Sequence, residues 1–227
     1  MIKFENTVTP SSEQWKSLIL GARNAMNSWA KSDSRCHNDP VYDENHPLFI
    51  HDNPVFNIGP NDLNLMMKLR NAGTDHRKFM RMIVVYVDIT APVYWAAELD
   101  TYKVATVRNS CSFMHKGTSK IFEKGQFSWH GLDETDPTYV EFVLKKMNEL
   151  RDKYLETKNT IVFQQLRDIC PQGLNIRFTY MCNYEVLANI YKSRKDHKLT
   201  EWNDFCAWIE KLPYSELITG CTESISG

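Results

Sequence analysis

The chain has 227 residues, 42% of them hydrophobic and 24% charged, which is enough apolar side chain to bury one full core. A formal charge of -1 and a pI near 6.7 exclude an overall field drawing it to nucleic acid or anionic lipid, and no run reaches the ~20 apolar residues of a spanning helix. Six scattered cysteines without a Cys-x-x-Cys pair, and a start without a basic then apolar leader pattern, lead us to expect reduced thiols in a cytoplasmic protein.

A short strand is predicted at residues 4–7. Ser11 with Gln14 three residues later has the form of a capping box, and Trp15, Leu18, Ile19 and Ala22 follow at helical spacing, which predicts a helix over 13–26. Residues 31–53 are dominated by Asp, Asn, Ser, His and Pro without any period, so they read as a long surface loop of the kind that forms lids and binding loops. Cys36, His37, His46 and His51 fit no zinc spacing, and no metal site is expected. A brief strand at 54–58 precedes a helix capped by Asn61 or Asp62, which carries Leu63, Met66, Met67 and Leu69 and closes at Gly73.

The clearest strand is 83–89, rich in β-branched residues. Thr90 reads as the cap of a helix over 93–103 with Pro92 in its first turn, and a stretch crowded with hydroxyls and amides follows at 105–116. Residues 117–136 are irregular. Asp136-Pro137 opens a long helix with Tyr139, Val143, Met147, Leu150 and Tyr154 as its stripe; after a short break at 157–160 a second helix runs to Cys170, completing a helical hairpin. A strand-like alternation at 175–182 leads to a helix opened by Asn183, a good N-cap. The last helix carries Trp202, Phe205, Trp208, Ile209 and Leu212, stops at Pro213 and leaves a polar tail at 214–227. The expected architecture is a single α/β domain, a central sheet with flanking helices.

Two stretches carry a resemblance. Arg167-Asp168-Ile169-Cys170-Pro171, a strand, then Asn183, Asn189 and Arg194 resemble the Arg, Leu-Pro, strand, Asn-x-Arg, Asn and Arg series of the flavin-dependent thymidylate synthases, in the same order and at similar spacing. The strand at 83–89, Ala91-Pro92 and the helix after it are also similar to that family's, in which they lead to Arg-His-Arg, seven residues and Ser. The likeness covers residues 61–212, as layout more than identity. It implies the family's α/β fold, a homotetramer with its sites where subunits meet, and binding of flavin, dUMP and a folate. Carried over residue by residue, it implies that Arg167 and Arg194 meet the nucleotide and that Asn183 and Asn189 line the flavin site. A guanidinium fork suits a phosphate, and a side-chain amide suits a ring edge.

The departures fall on the chemistry. Thr101-Tyr102-Lys103, seven residues and Cys111 stand in place of Arg-His-Arg and Ser, removing two fixed cations. Cys111-Ser112-Phe113 replaces the Ser-x-Arg that holds the nucleotide phosphate. In Asn183-Tyr184-Glu185 a carboxylate replaces an arginine beside a flavin phosphate, which repulsion and desolvation disfavour. Lys103, Arg108, His115 and Lys116, beside Ser110 and Ser112, are candidates to replace the lost cations, against the competing reading of solvated charges. Tyr94, Trp95 and Tyr102 are candidates to stack a base, against plain core packing, which we favour for Trp95.

Three functions are weighed, in this order. The first is a nucleotide-binding protein whose inter-subunit pocket uses Arg167, Arg194, Lys103, Arg108, Ser110, Ser112 and Tyr102, with the flavin methylation chemistry lost and no catalytic residue assigned. The second is an active, divergent enzyme that keeps FAD at Asn183 and Asn189 and transfers a one-carbon unit to dUMP or a related pyrimidine nucleotide, where the Cys111 thiol would matter. The third is a non-catalytic oligomeric scaffold that meets partners through residues 31–53 and 117–136.

Overall fold

A computed structural model of the chain describes residues 2–37, 55–113 and 117–220. Its elements in chain order are β1 (Lys3–Val8), α1 (Ser12–Arg23), β2 (Arg35–His37), β3 (Val55–Asn57), α2 (Pro60–Asn71), a 3-10 segment (Arg77–Met82), β4 (Val84–Pro92), α3 (Val93–Leu99), β5 (Val107–Ser110), α4 (Leu132–Thr135), α5 (Pro137–Thr157), α6 (Thr160–Ile169), β6 (Asn175–Asn183), α7 (Tyr184–Arg194), α8 (Thr200–Glu210) and α9 (Glu216–Thr219). One sheet has the order β1-β4-β6-β5, and β2 pairs antiparallel with β3 in a second.

Local chemistry explains most of the boundaries. Ser11 and Gln14 form the capping box, each side chain meeting the other's backbone N–H. Asp136 caps α5 by accepting from Tyr139 N–H at 3.0 Å, and Asn183 caps α7 by accepting from Val186 N–H at 3.1 Å. In β4, Val85, Val87, Ile89 and Ala91 are fully buried while Tyr86 is exposed, the period of two expected of a half-buried strand.

Several expectations need correction. Thr90 does not cap α3. The strand runs on through Pro92, because the residue before a proline is pushed to extended backbone, and the first N–H groups of α3 at Val93 and Tyr94 donate to the carbonyls of Leu174 and Gln172. That helix ends at Leu99 instead of 103. Nor does Asn61 or Asp62 cap α2. Gly59 holds the cap position, and the Asp33 carboxylate, remote in sequence, accepts from the N–H groups of Asn61 (2.9 Å) and Asp62 (3.1 Å). A side chain at Gly59 would lie 2.3 Å from that carboxylate, so the close approach requires glycine. Part of the expected loop at 31–53 is strand β2, a three-residue strand with a non-local partner that leaves no readable period; residues 38–54, with His46 and His51, lie outside the described residues. The polar tail begins later than expected, since Leu217 and Ile218 are buried and their carbonyls accept from the Arg70 guanidinium at 2.9 and 2.8 Å.

The chain forms two compact units. The first comprises Met1–Asn6, Val87–Lys103 and Val107–Tyr180, and its core is Phe122, Phe127, Met147 and Leu166 under the α5–α6 hairpin. The second comprises Thr7–Tyr86, Val104–Thr106 and Met181–Gly227, built around Trp15, Met66, Met80, Tyr184, Trp202 and Phe205. A buried ion pair braces the second unit: Arg23 Nε donates to Asp62 at 2.5 Å, and the other carboxylate oxygen accepts from both Ser32 and Ser34 hydroxyls and from the Asp33 and Ser34 N–H groups. Burial alone would push the Asp62 carboxyl up; the hydrogen bonds from Ser34, Ser32, Arg23 and the Asp33 backbone outweigh it and hold it below the usual value.

Candidate functional site

In the first unit β5 ends at Ser110, and Cys111 N–H donates to the Arg177 carbonyl of β6 at 3.0 Å. That bond carries Cys111, Ser112 and Phe113 along one wall of a cleft of about 190 Å³. Ser119, Lys120, Gln126 and Asn175 add polar groups, and Phe122, Leu174 and Ile176 add apolar ones. Phe113 lies near parallel to Phe122, with ring centroids 6.3 Å apart. Gly117 N–H donates to the Phe113 carbonyl at 2.8 Å, and this close approach requires glycine, because a Cβ at 117 would lie 2.6 Å from that oxygen.

Arg167, in the last turn of α6, places its guanidinium carbon 5.0 Å from the centroid of the Phe113 ring. Stacking on a face leaves the in-plane N–H groups of a guanidinium directed outward, the arrangement that serves an anion. Arg167 thus lies against Phe113, which lines the cleft beside Ser112 and Cys111. Burial pushes the Cys170 thiol up to about 11, partly opposed by Arg167, so it stays protonated at neutral pH.

The other candidates are placed differently. Arg108 is half-buried and gives a two-point contact to Asp100 (2.8 and 2.6 Å) while lying over Phe178, so its charge is already answered. Lys103 and Ser110 are exposed, Tyr102 is half-buried, and none of the three lines the cleft. Trp95 is fully buried, as core packing requires, and Tyr94 bonds through its hydroxyl to His130 at 2.9 Å. His115 and Lys116 lie outside the described residues.

The second unit holds the residues carried over for a flavin. Asn183 is buried and its amide is used on both sides: the oxygen caps α7, and the nitrogen donates to the carbonyls of Val104 (3.1 Å) and Ala105 (3.3 Å). Asn189 is exposed, and its oxygen accepts from Arg77 at 3.1 Å. Glu185 is 3% exposed and is enclosed by two guanidinium groups, Arg77 Nε at 3.1 Å and Arg81, which contacts both carboxylate oxygens. Its charge is therefore balanced inside the fold, which the sequence reading did not anticipate. Arg194 lies 4.6 Å over the Trp202 ring, and its terminal nitrogen is 2.8 Å from His197 Nε2.

Residues that sequence reasoning passed over are Lys120, Gln126 and Phe122 in the cleft and Arg77 and Arg81 around Glu185. The two arginines stand four apart, a spacing that places them as neighbours on a helical turn and offered the one local signal.

No protein-family model and no curated protein sequence matches the chain. Solved structures do. Flavin-dependent thymidylate synthase ThyX from Helicobacter pylori, complexed with FAD and dUMP, matches at a TM-score of 0.62 and 14% identity over 98% of this chain and 99% of that one. The UMP/dUMP methylase PolB from Streptomyces cacaoi, bound with 5-Br UMP, matches at a TM-score of 0.60 and 12% identity over 97% and 94%. At these identities the likeness is one of fold, and it runs the length of the chain.

Proposed function

We propose, from a fold shared end to end with ThyX and PolB, that this chain binds a pyrimidine nucleotide and does so without flavin chemistry. The observation that carries the reading is the Arg167 guanidinium over the ring of Phe113, which with Ser112 lines a cleft, in a fold whose solved neighbours ThyX and PolB hold uracil nucleotides. A volume of about 190 Å³ is below the ~300–1,000 Å³ of a typical small-molecule site, so the cleft suits a base, with the phosphate outside it against Arg167. The other sequence candidates, Lys103, Arg108, Ser110 and Tyr102 in the same unit and Arg194 in the second, do not line this cleft. Assembly as a cytoplasmic homotetramer belongs to the same proposal.

The residues present do not fit a flavin. The Asn183 amide is buried and engaged at both its oxygen and its nitrogen within the chain, and a carboxylate stands at position 185 where the resembling family has an arginine.

The experiment is to denature the purified protein gently and identify what it releases by absorbance and mass spectrometry, then to add excess FAD to the native protein. The expected result is a colourless release that contains a nucleotide or nothing, and no flavin retained on desalting. A released or retained flavin would overturn the reading in favour of a divergent methylating enzyme, in which the exposed Cys111 thiol of the cleft becomes the first residue to test.

A further inference from the structure

The cluster around Glu185 does more than balance a charge. Arg77 and Arg81 come from one 3-10 segment and converge on a single carboxylate in the first turn of α7, where the helix dipole also favours negative charge. Arg77 divides its donors, Nε going to Glu185 and a terminal nitrogen to Asn189, so the same guanidinium also orients an exposed amide. The Arg81 side chain is 40% exposed, and Asp75 adds a further negative field near it. Two guanidinium forks meeting at one point form a donor set that suits a phosphoryl group. Here the point is filled by the chain's own carboxylate.

We infer that Glu185 is an internal anion: it occupies a phosphoryl seat formed by Arg77 and Arg81, and so closes this face to phosphorylated cofactors. The carboxylate is tethered, and a diphosphate in solution must displace a group already in place and then leave it buried without partners. Charge at one side chain thus determines which ligands this face admits. The inference does not depend on a nucleotide occupying the first unit's cleft, because both seat and occupant lie in the second unit.

Glu185→Gln tests it, with inorganic pyrophosphate as the probe at constant ionic strength. Glutamine keeps the shape and removes the charge, so the variant should bind pyrophosphate at least about tenfold more tightly than wild type. The gain should vanish when Arg77→Gln and Arg81→Gln are added. A folded Glu185→Gln protein with the wild-type affinity would overturn the inference. Should the variant lose its fold in plain buffer, recovery of its circular dichroism spectrum in pyrophosphate would support the seat, and failure to recover would count against it. Absence of nucleotide binding by the wild-type protein would leave every one of these outcomes unchanged.

Discussion

Glu185 in the second unit and the cleft of the first treat polar groups in opposite ways. Around Glu185 the carboxylate is 3% exposed and accepts from Arg77 and Arg81 of the same chain. Asp62 repeats the pattern, fully buried with five donors on two oxygens. In the first unit a cation rests on the face of Phe113 beside a cleft lined with hydroxyls, amides and a thiol. Removing one partner from a closed network leaves an uncompensated buried group, while removing a polar side chain of the cleft leaves the apolar core under it in place. The difference separates architecture from binding, and mutation can measure it.

The largest effect should come from the closed network. Asp62→Ala strands Arg23 and four further donors and should cost about 3–5 kcal/mol in denaturant-derived stability. Once the protein is folded under stabilising conditions, its nucleotide affinity should match wild type. Next, Arg167→Ala should weaken binding of dUMP or UMP by about 10–100-fold, the value of a charge-assisted hydrogen bond, with little change in stability; Arg167→Lys should recover part of the loss. Equal affinity in wild type and Arg167→Ala would erase the contrast between the two regions.

Smaller still, Ser112→Ala should reduce affinity by less than about tenfold, as expected for one neutral hydrogen bond, measured in the same titration. The last effect concerns pH. Hydrogen bonds from Thr179, Asn6 and Arg177 hold the Asp88 carboxyl at about 2, below its ordinary 3.8. A carboxylate depressed in the folded state contributes stability that is present above the unfolded value and is lost as pH falls through the folded one. Asp62 is shifted in the same direction. Stability should therefore decline from roughly pH 4 down to pH 2, and Asp88→Asn should flatten part of that decline in denaturation midpoints taken across the range.

The sequence made local features legible and remote ones not. Ser11-Gln14, Asp136-Pro137 and Asn183 announce helix starts because a cap is a matter of three or four consecutive residues. The layout from Asn61 onward was enough to identify the fold later seen in ThyX and PolB. The cap of α2 was not readable, since its carboxylate comes from Asp33, and neither was the partnership of Arg77 and Arg81 with Glu185 across more than a hundred residues of chain. Glu185 viewed alone looked like a charge that would repel a ligand phosphate; in the fold it is neutralised. Ser112 and Arg167 were chosen as candidates from different stretches, and Phe113, whose ring Arg167 covers, links them.

The measurement closest to the central claim is a calorimetric titration of UMP and dUMP into the wild-type protein, run in parallel with FAD. The account predicts saturable binding of at least one uracil nucleotide, loss of that binding in Arg167→Ala, and no heat from FAD. Binding of FAD, or silence from both nucleotides in a protein shown to be folded, would contradict it.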